Sequence, residues 1–283
     1  MAITLAADVR YDVAIEDVAY QHQEGRALLA RLYRPSGAGP FPAALQLHGG
    51  AWVNKDRTDN DYIAKALAQS GVLVAAIDFR LPPQAPYPAA LADINLATRW
   101  LKARVRHYGG RPDRVGIFGT SSGGHLALLT AMRPEDPRYR ALALAEAPEV
   151  DATVAFTISG WGVLDPVLRY DLAKRAGNRD LVRSHDAFWG SEAAMSDGSP
   201  PAILARGERV HLPPALIFQG DADEWVPTET ARGLAEAWRR AGGVAELVLY
   251  PGAKHGFMTG KPDAPYAGKA VAAMREFIRK HAE

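Results

Sequence analysis

The chain has 283 residues, 48% of them hydrophobic, with 33 basic against 32 acidic side chains and a formal net charge of +1. So even a balance offers no electrostatic footprint for nucleic acid or an anionic membrane, and the length suits one large α/β domain, 1–283. The absence of cysteine removes disulfides, thiolate metal sites and cysteine nucleophiles together.

In chain order, Met1–Asp8 lacks the basic start and long apolar run of a secretory signal, and no stretch of eighteen residues is uninterruptedly apolar. A cytoplasmic location is therefore expected. Val13–Tyr20 and Ala27–Arg34 read as two strands of a hairpin turning at Glu24-Gly25. Pro42–Leu47 is a short strand that runs into His48-Gly49-Gly50-Ala51-Trp52, and Thr58–Ser70 reads as a helix stopped by Gly71. Val72–Ile77 is a β-branched apolar run of the kind buried on both faces of a sheet. After a proline-rich connection, Ala89–Arg106 is helical and ends near Gly109-Gly110. Arg114–Phe118 is the next strand, followed at once by a helix over Gly124–Met132. Further strands are expected at Val154–Ile158, Ala215–Phe218 and Glu246–Tyr250, with helices at Thr228–Arg240 and Ala267–His281. This alternation predicts a mostly parallel sheet of about eight strands covered on both faces, with ligands binding beyond the strands' carboxyl ends. Residues 165–213 break the rhythm, being long, polar and weakly periodic, and are expected to form a small lid or cap insertion.

Gly119-Thr120-Ser121-Ser122-Gly123 lies between a strand and a helix. A serine on a sharp strand-to-helix turn, with a glycine two residues to each side, is the pattern of a nucleophile elbow. The glycines are needed because the turn strains the serine backbone and brings its flanks against neighbouring chain. Alone the pattern is weak, expected by chance on the order of 0.07 times in such a composition. Its weight comes from the other parts of a catalytic apparatus. A serine hydroxyl needs a base, and of eight histidines His255 lies in a glycine-flanked loop directly after the last strand. The imidazole needs a carboxylate, and the loop Gly220-Asp221-Ala222-Asp223-Glu224 supplies candidates. Asp223 is the expected partner, with Asp221 as the fallback and a loop-structuring acceptor. The Gly50 and Ala51 amides, joined by that of Ser122, are expected to form the oxyanion hole. His48 is expected to brace that loop, and Trp52, Trp161 and Met258 to line the pocket. Phe188 and Trp189 read at least as well as core. No histidine pair has zinc-helix spacing, and no phosphate loop or dinucleotide fingerprint is present, so no metal and no cofactor is expected.

These motifs together resemble the α/β-hydrolase superfamily, in particular carboxylesterases related to hormone-sensitive lipase and the feruloyl and acetyl-xylan esterase-like group with a His-Gly-Gly-x-Trp loop. The likeness rests on His48–Trp52, Asp78-Phe79-Arg80-Leu81 with Tyr87-Pro88-Ala89-Ala90 and Asp93, Gly119–Leu126, Gly220–Pro227 and His255-Gly256-Phe257. It implies Ser121 as nucleophile, Asp223 as acid and His255 as base, acting on a small-molecule ester of small or medium acyl chain, and a structural role for Arg80 and Asp93. Ala51 stands where the hormone-sensitive-lipase loop has a third glycine, and Ser122 where alanine is common. The Ser122 hydroxyl is expected either to bond near the oxyanion or to cap the following helix. The alternatives are an amidase or peptidase of the kynurenine formamidase-like kind, and a silent binding protein on the same scaffold. No nucleic-acid or membrane partner is expected, and a homo-oligomer is left open.

Overall fold

The structure is a computed structural model that describes residues 10–23 and 25–282. The opening residues read for a signal, and Glu24 of the hairpin turn, lie outside the described residues. The chain begins with a hairpin, β1 (Val13–Gln23) and β2 (Arg26–Pro35). It continues through β3 (Phe41–Leu47), α1 (Asp61–Gln69), β4 (Leu73–Ile77), α2 (Ala89–Arg104), β5 (Gly110–Thr120), α3 (Ser122–Met132) and β6 (Thr157–Gly160). Four helices follow, α4 (Pro166–Arg175), α5 (Arg179–Trp189), α6 (Glu192–Asp197) and α7 (Pro200–Ala205), and then β7 (Ala215–Gly220), α8 (Thr228–Arg240), β8 (Ala245–Tyr250) and α9 (Ala267–Ala282).

The eight strands form one sheet in the order β1-β2-β4-β3-β5-β6-β7-β8. The β1–β2 and β2–β4 pairs are antiparallel and every pair from β4 to β8 is parallel. Side chains alternate between faces, as the two-residue period of a strand requires. Leu73, Ala75, Ile77, Val115 and Ile117 pack with α2, α3 and α8 through Leu101, Leu129 and Trp238. Val74, Ala76 and Phe118 pack with α1 and α9 through Leu67 and Phe277. Burial on both faces explains why β4 reads as an unbroken apolar run and β3 as one broken only by Gln46. Because β3, β5, β7 and β8 are parallel, the loops that follow them emerge at the same end of the sheet.

One expectation is corrected. The strand expected at Val154–Ile158 lies at Thr157–Gly160, because Asp151 turns the preceding chain by accepting the Thr153 amide and holding Lys102. The segment 165–213, which reads as polar and weakly periodic, carries four helices. Each begins at a side-chain cap: Asp165 accepts from the Val167 and Leu168 amides, Asn178 from Leu181, Ser191 from Ala194 and Ser199 from Ala202. These caps, with prolines in the first turns of α4 and α7, are the signal the weak periodicity conceals.

Arg80 and Asp93 brace the loop after β4. Asp93 is sealed from solvent and accepts the Arg80 backbone amide and three bonds from its guanidinium. Burial raises the Asp93 carboxyl's pKa even with Arg80 against it, so the pair gives little net stabilisation while leaving either partner alone is costly. Asp93→Ala is expected to lower the unfolding free energy by about 3 kcal/mol, measured by urea denaturation. A loss below about 0.5 kcal/mol, the range of ordinary surface changes, would remove the bracing role.

Candidate active site

The turn from β5 into α3 places Ser121 at φ 53° and ψ −123°, a region that costs an L-residue on the order of 1–3 kcal/mol. It is held there on three sides: its amide donates to the Gly160 carbonyl, and its own carbonyl accepts from Val163 and His125. A Cβ on Gly119 would lie 2.3 Å from the Gly123 carbonyl oxygen, and one on Gly123 would lie 2.4 Å from the carbonyl oxygens of Leu47 and His48. Glycine is the residue that lets the elbow pass so close to itself and to the end of β3.

From this turn Ser121 Oγ lies 2.9 Å from His255 Nε2, and His255 Nδ1 lies 2.8 Å from Asp223 Oδ2. A carboxylate can only accept, so Nδ1 carries a proton and Nε2 is left to accept from the Ser121 hydroxyl. The Asp223 side chain is fully buried. Its Oδ1 accepts from the Trp225 and Val226 amides and its Oδ2 from Gln219 Nε2, which fixes the carboxylate before the imidazole meets it. Asp221 instead accepts the Gly252 amide at 2.6 Å, so it ties the loop after β7 to the loop after β8.

The loop after β3 turns through three consecutive left-handed residues, Gly50, Ala51 and Trp52, at φ 97°, 51° and 65°. A Cβ on Gly50 would meet the Asn54 carbonyl oxygen at 2.2 Å. Among the described residues the Gly49 amide donates to Asp59, whereas the Gly50, Ala51 and Ser122 amides donate to no protein acceptor. Ser122 heads α3, where its N–H is one of the orphan donors at the positive end of the helix dipole. Its hydroxyl oxygen accepts the Trp52 amide at 3.1 Å, which pins the loop after β3 onto the elbow.

Gly50, Ala51, Ser121, Trp161 and His255 border one cavity of about 260 Å³, shared with Arg169 of α4. A larger cavity of about 650 Å³ lies on the far side of the 48–57 loop and touches neither Ser121 nor His255. Trp161 is thus at the cavity, but Trp52 and Met258 are elsewhere. Trp52 is 1% exposed and packed against His125, His185, Phe188 and Trp189, because its left-handed backbone turns the indole away from Ser121 and under α5. Met258 is fully buried against α1 and α9, and its carbonyl accepts from Tyr62. Phe188 and Trp189 are core. His48 stacks on Phe79 at 4.1 Å and donates from Nδ1 to the Gly49 carbonyl. Two residues at the site carry no motif. Arg169 arrives by the packing of α4, and Asn60 joins the elbow to the His255 loop by donating to Thr120 Oγ1 and accepting the Gly260 amide.

The parallel sheet, the elbow after β5 and the acid and histidine after β7 and β8 are those of an α/β-hydrolase fold. The BD-FAE family model matches residues 31–238, and the chain belongs to that family. It is 29% identical to Esterase LipC of Mycobacterium tuberculosis over 86% of this chain and 60% of LipC, so it spans about three fifths of that relative's length. It is 28% identical to an ethyl acetate hydrolase of Pseudomonas putida over 94% of this chain and 83% of the relative. Among solved structures, Thermogutta terrifontis esterase 2 with propionate bound superposes with a TM-score of 0.75 at 27% identity, covering 94% of each chain. The same esterase phosphorylated by paraoxon gives 0.76 at 26% identity, again over 94% of each.

Below the site, burial pulls the His125 and His185 pKa values down to about 4, with the nearby Arg169 charge adding to the shift. Unfolded, each returns towards about 6.5 and binds a proton the folded state refuses, so stability rises with pH between these values. As pH falls from about 6.5 towards 4, each is expected to withdraw up to about 3 kcal/mol. Urea midpoints should fall between pH 7 and pH 5, and His185→Gln should flatten part of that slope. Identical midpoints at the two pH values would show that these imidazoles are not held neutral.

Proposed function

We propose that the chain is a serine carboxylic ester hydrolase working through an acyl-enzyme, with Ser121 as nucleophile, His255 as the proton-transfer group and Asp223 as the carboxylate that orients it. The observation that carries this reading is the continuous line of hydrogen bonds from Ser121 Oγ through His255 to Asp223, opening on a cavity also bordered by Gly50 and Ala51. Ser121 attacks the ester carbonyl while His255 Nε2 takes its proton. The imidazolium that forms is stabilised by Asp223 and returns the proton to the leaving alcohol. A water then enters the same path, loses its proton to His255 and releases the acid, restoring Ser121. The unpartnered amides of Gly50, Ala51 and Ser122 serve as the oxyanion hole in this scheme, each donor being worth roughly 2.7–4 kcal/mol in the transition state.

The substrate is a small-molecule ester of short or medium acyl chain. The small cavity, the ethyl acetate hydrolase relative and the propionate-bound neighbour support that size. Residues 165–213 act as a cap in this reading, supported by Arg169 of α4 standing on the cavity rim, and Trp161 forms a wall. No helix among the described residues is long and apolar enough to cross a membrane.

Ser121→Ala is expected to lower kcat by about a millionfold on 4-nitrophenyl acetate, and a fluorophosphonate should label the peptide that contains Ser121. Near wild-type turnover by that variant would end the assignment. Asp223→Asn is expected to cost about 10,000-fold in kcat, whereas Asp221→Asn acts on loop stability. A greater loss from the Asp221 change would reverse the two roles.

A further inference from the structure

Arg169 is 4% exposed, yet among the described residues none of its guanidinium nitrogens makes a hydrogen bond or an ion pair. Nε and Nη1 are sealed without a partner, while Nη2 is not sealed. Only its backbone is engaged, through the amide's bond to the Asp165 carbonyl. Its side chain lies over the Trp52 ring, 5.5 Å from the centroid, and a cation–π contact compensates little of the cost of removing a guanidinium from water. Burial lowers its pKa to about 10, so it stays charged at neutral pH.

The acid whose field reaches Arg169 and the acid that shares its cavity are both committed elsewhere. Asp223 contributes its field to Arg169 but its oxygens hold His255, Gln219 and two amides. Asp59 borders the same cavity but binds Lys55 at 2.6 Å and the side chain of Asn60. A buried cation without a counter-ion, facing the cavity that holds the nucleophile, is an incomplete ion pair.

We infer that the substrate supplies the missing partner: an ester that carries a free carboxylate, bound by Arg169, with its scissile carbonyl at Ser121. Arg169 is then a specificity-determining residue, and the anionic group lies within a few bonds of the carbonyl because both must fit a cavity of about 260 Å³. Planar, forked recognition by a guanidinium is suited to a carboxylate, and its binding energy helps hold the carbonyl at the nucleophile. This inference rests on the ester-hydrolase reading.

The test measures kcat/KM by pH-stat for two matched pairs. Monoethyl succinate against ethyl butyrate places the carboxylate on the acyl side, and O-acetylglycolate against ethyl acetate places it on the alcohol side. The wild-type protein is expected to prefer the carboxylate ester in at least one pair by about 30-fold, the order expected when a buried charge pair is completed. The pair that shows the preference identifies the side. In Arg169→Met the ratio should fall towards one, mainly through KM for the carboxylate ester, with Arg169→Lys intermediate. No preference in either pair, or a preference that survives in Arg169→Met, overturns the inference. Should Arg169→Met fail to fold by thermal melt, Arg169→Lys decides: it keeps the charge without the fork, so a reduced ratio supports the inference and an unchanged one overturns it. Failure of the underlying reading looks different, because the wild-type protein would then hydrolyse none of the four esters and resist fluorophosphonate labelling.

Discussion

The site depends on one close backbone crossing. The first turn of α3 lies against the end of β3, with no room for a Cβ at Gly123 between it and the Leu47 and His48 carbonyls. This contact sets the distance between the elbow and the loop after β3, which lie far apart in the chain. The bond from the Trp52 amide to Ser122 Oγ then fixes their relative orientation. A larger residue at Gly123 would push apart the nucleophile and the amides opposite it, without touching either one's chemistry.

Both sides of the crossing are strained, and each is supported by structure outside it. Ser121 is held by Gly160 and Val163, at the end of β6 and just beyond it. The left-handed run Gly50–Trp52 is closed by the Val53 and Asn54 amides donating to the Gly50 carbonyl and by the indole buried among α3 and α5. Helix α5 therefore supports the 50–52 turn from below through Trp52, while α4 reaches the cavity through Arg169. The segment 165–213 thus takes part in the shape of the cavity beside Ser121.

The sheet and the residues of the Ser121–His255–Asp223 hydrogen-bonded line were legible because their signals are local. Buried parallel strands are apolar runs, and the elbow, the His-Gly-Gly loop and the acid and histidine loops each announce a turn whose geometry restricts residue choice. Asp223 could be preferred to Asp221, but the reason lies in packing, since Asp223 is enclosed by Gln219 and two amides while Asp221 faces the neighbouring loop. Trp52 misleads because adjacency in sequence to a catalytic loop says nothing about side-chain direction once φ becomes positive. Arg169 was illegible for a different reason: nothing in α4's sequence separates it from the other arginines, and its significance comes from a buried guanidinium that finds no hydrogen-bond partner among the described residues.

The sheet order also divides the site unequally. Ser121 follows β5, which is paired on both sides by β3 and β6, whereas His255 follows β8, at the sheet's edge and paired only with β7. Fraying at a sheet edge takes less free energy than opening an interior strand. The stitches Asp221 to Gly252 and Ala222 to Ala253 tether the His255 loop to the Asp223 loop, and Asn60 ties it back to the elbow through Thr120 and the Gly260 amide. The loop that follows the edge strand is therefore held from two directions, so the bond between Ser121 and His255 does not rest on the pairing of β8 alone.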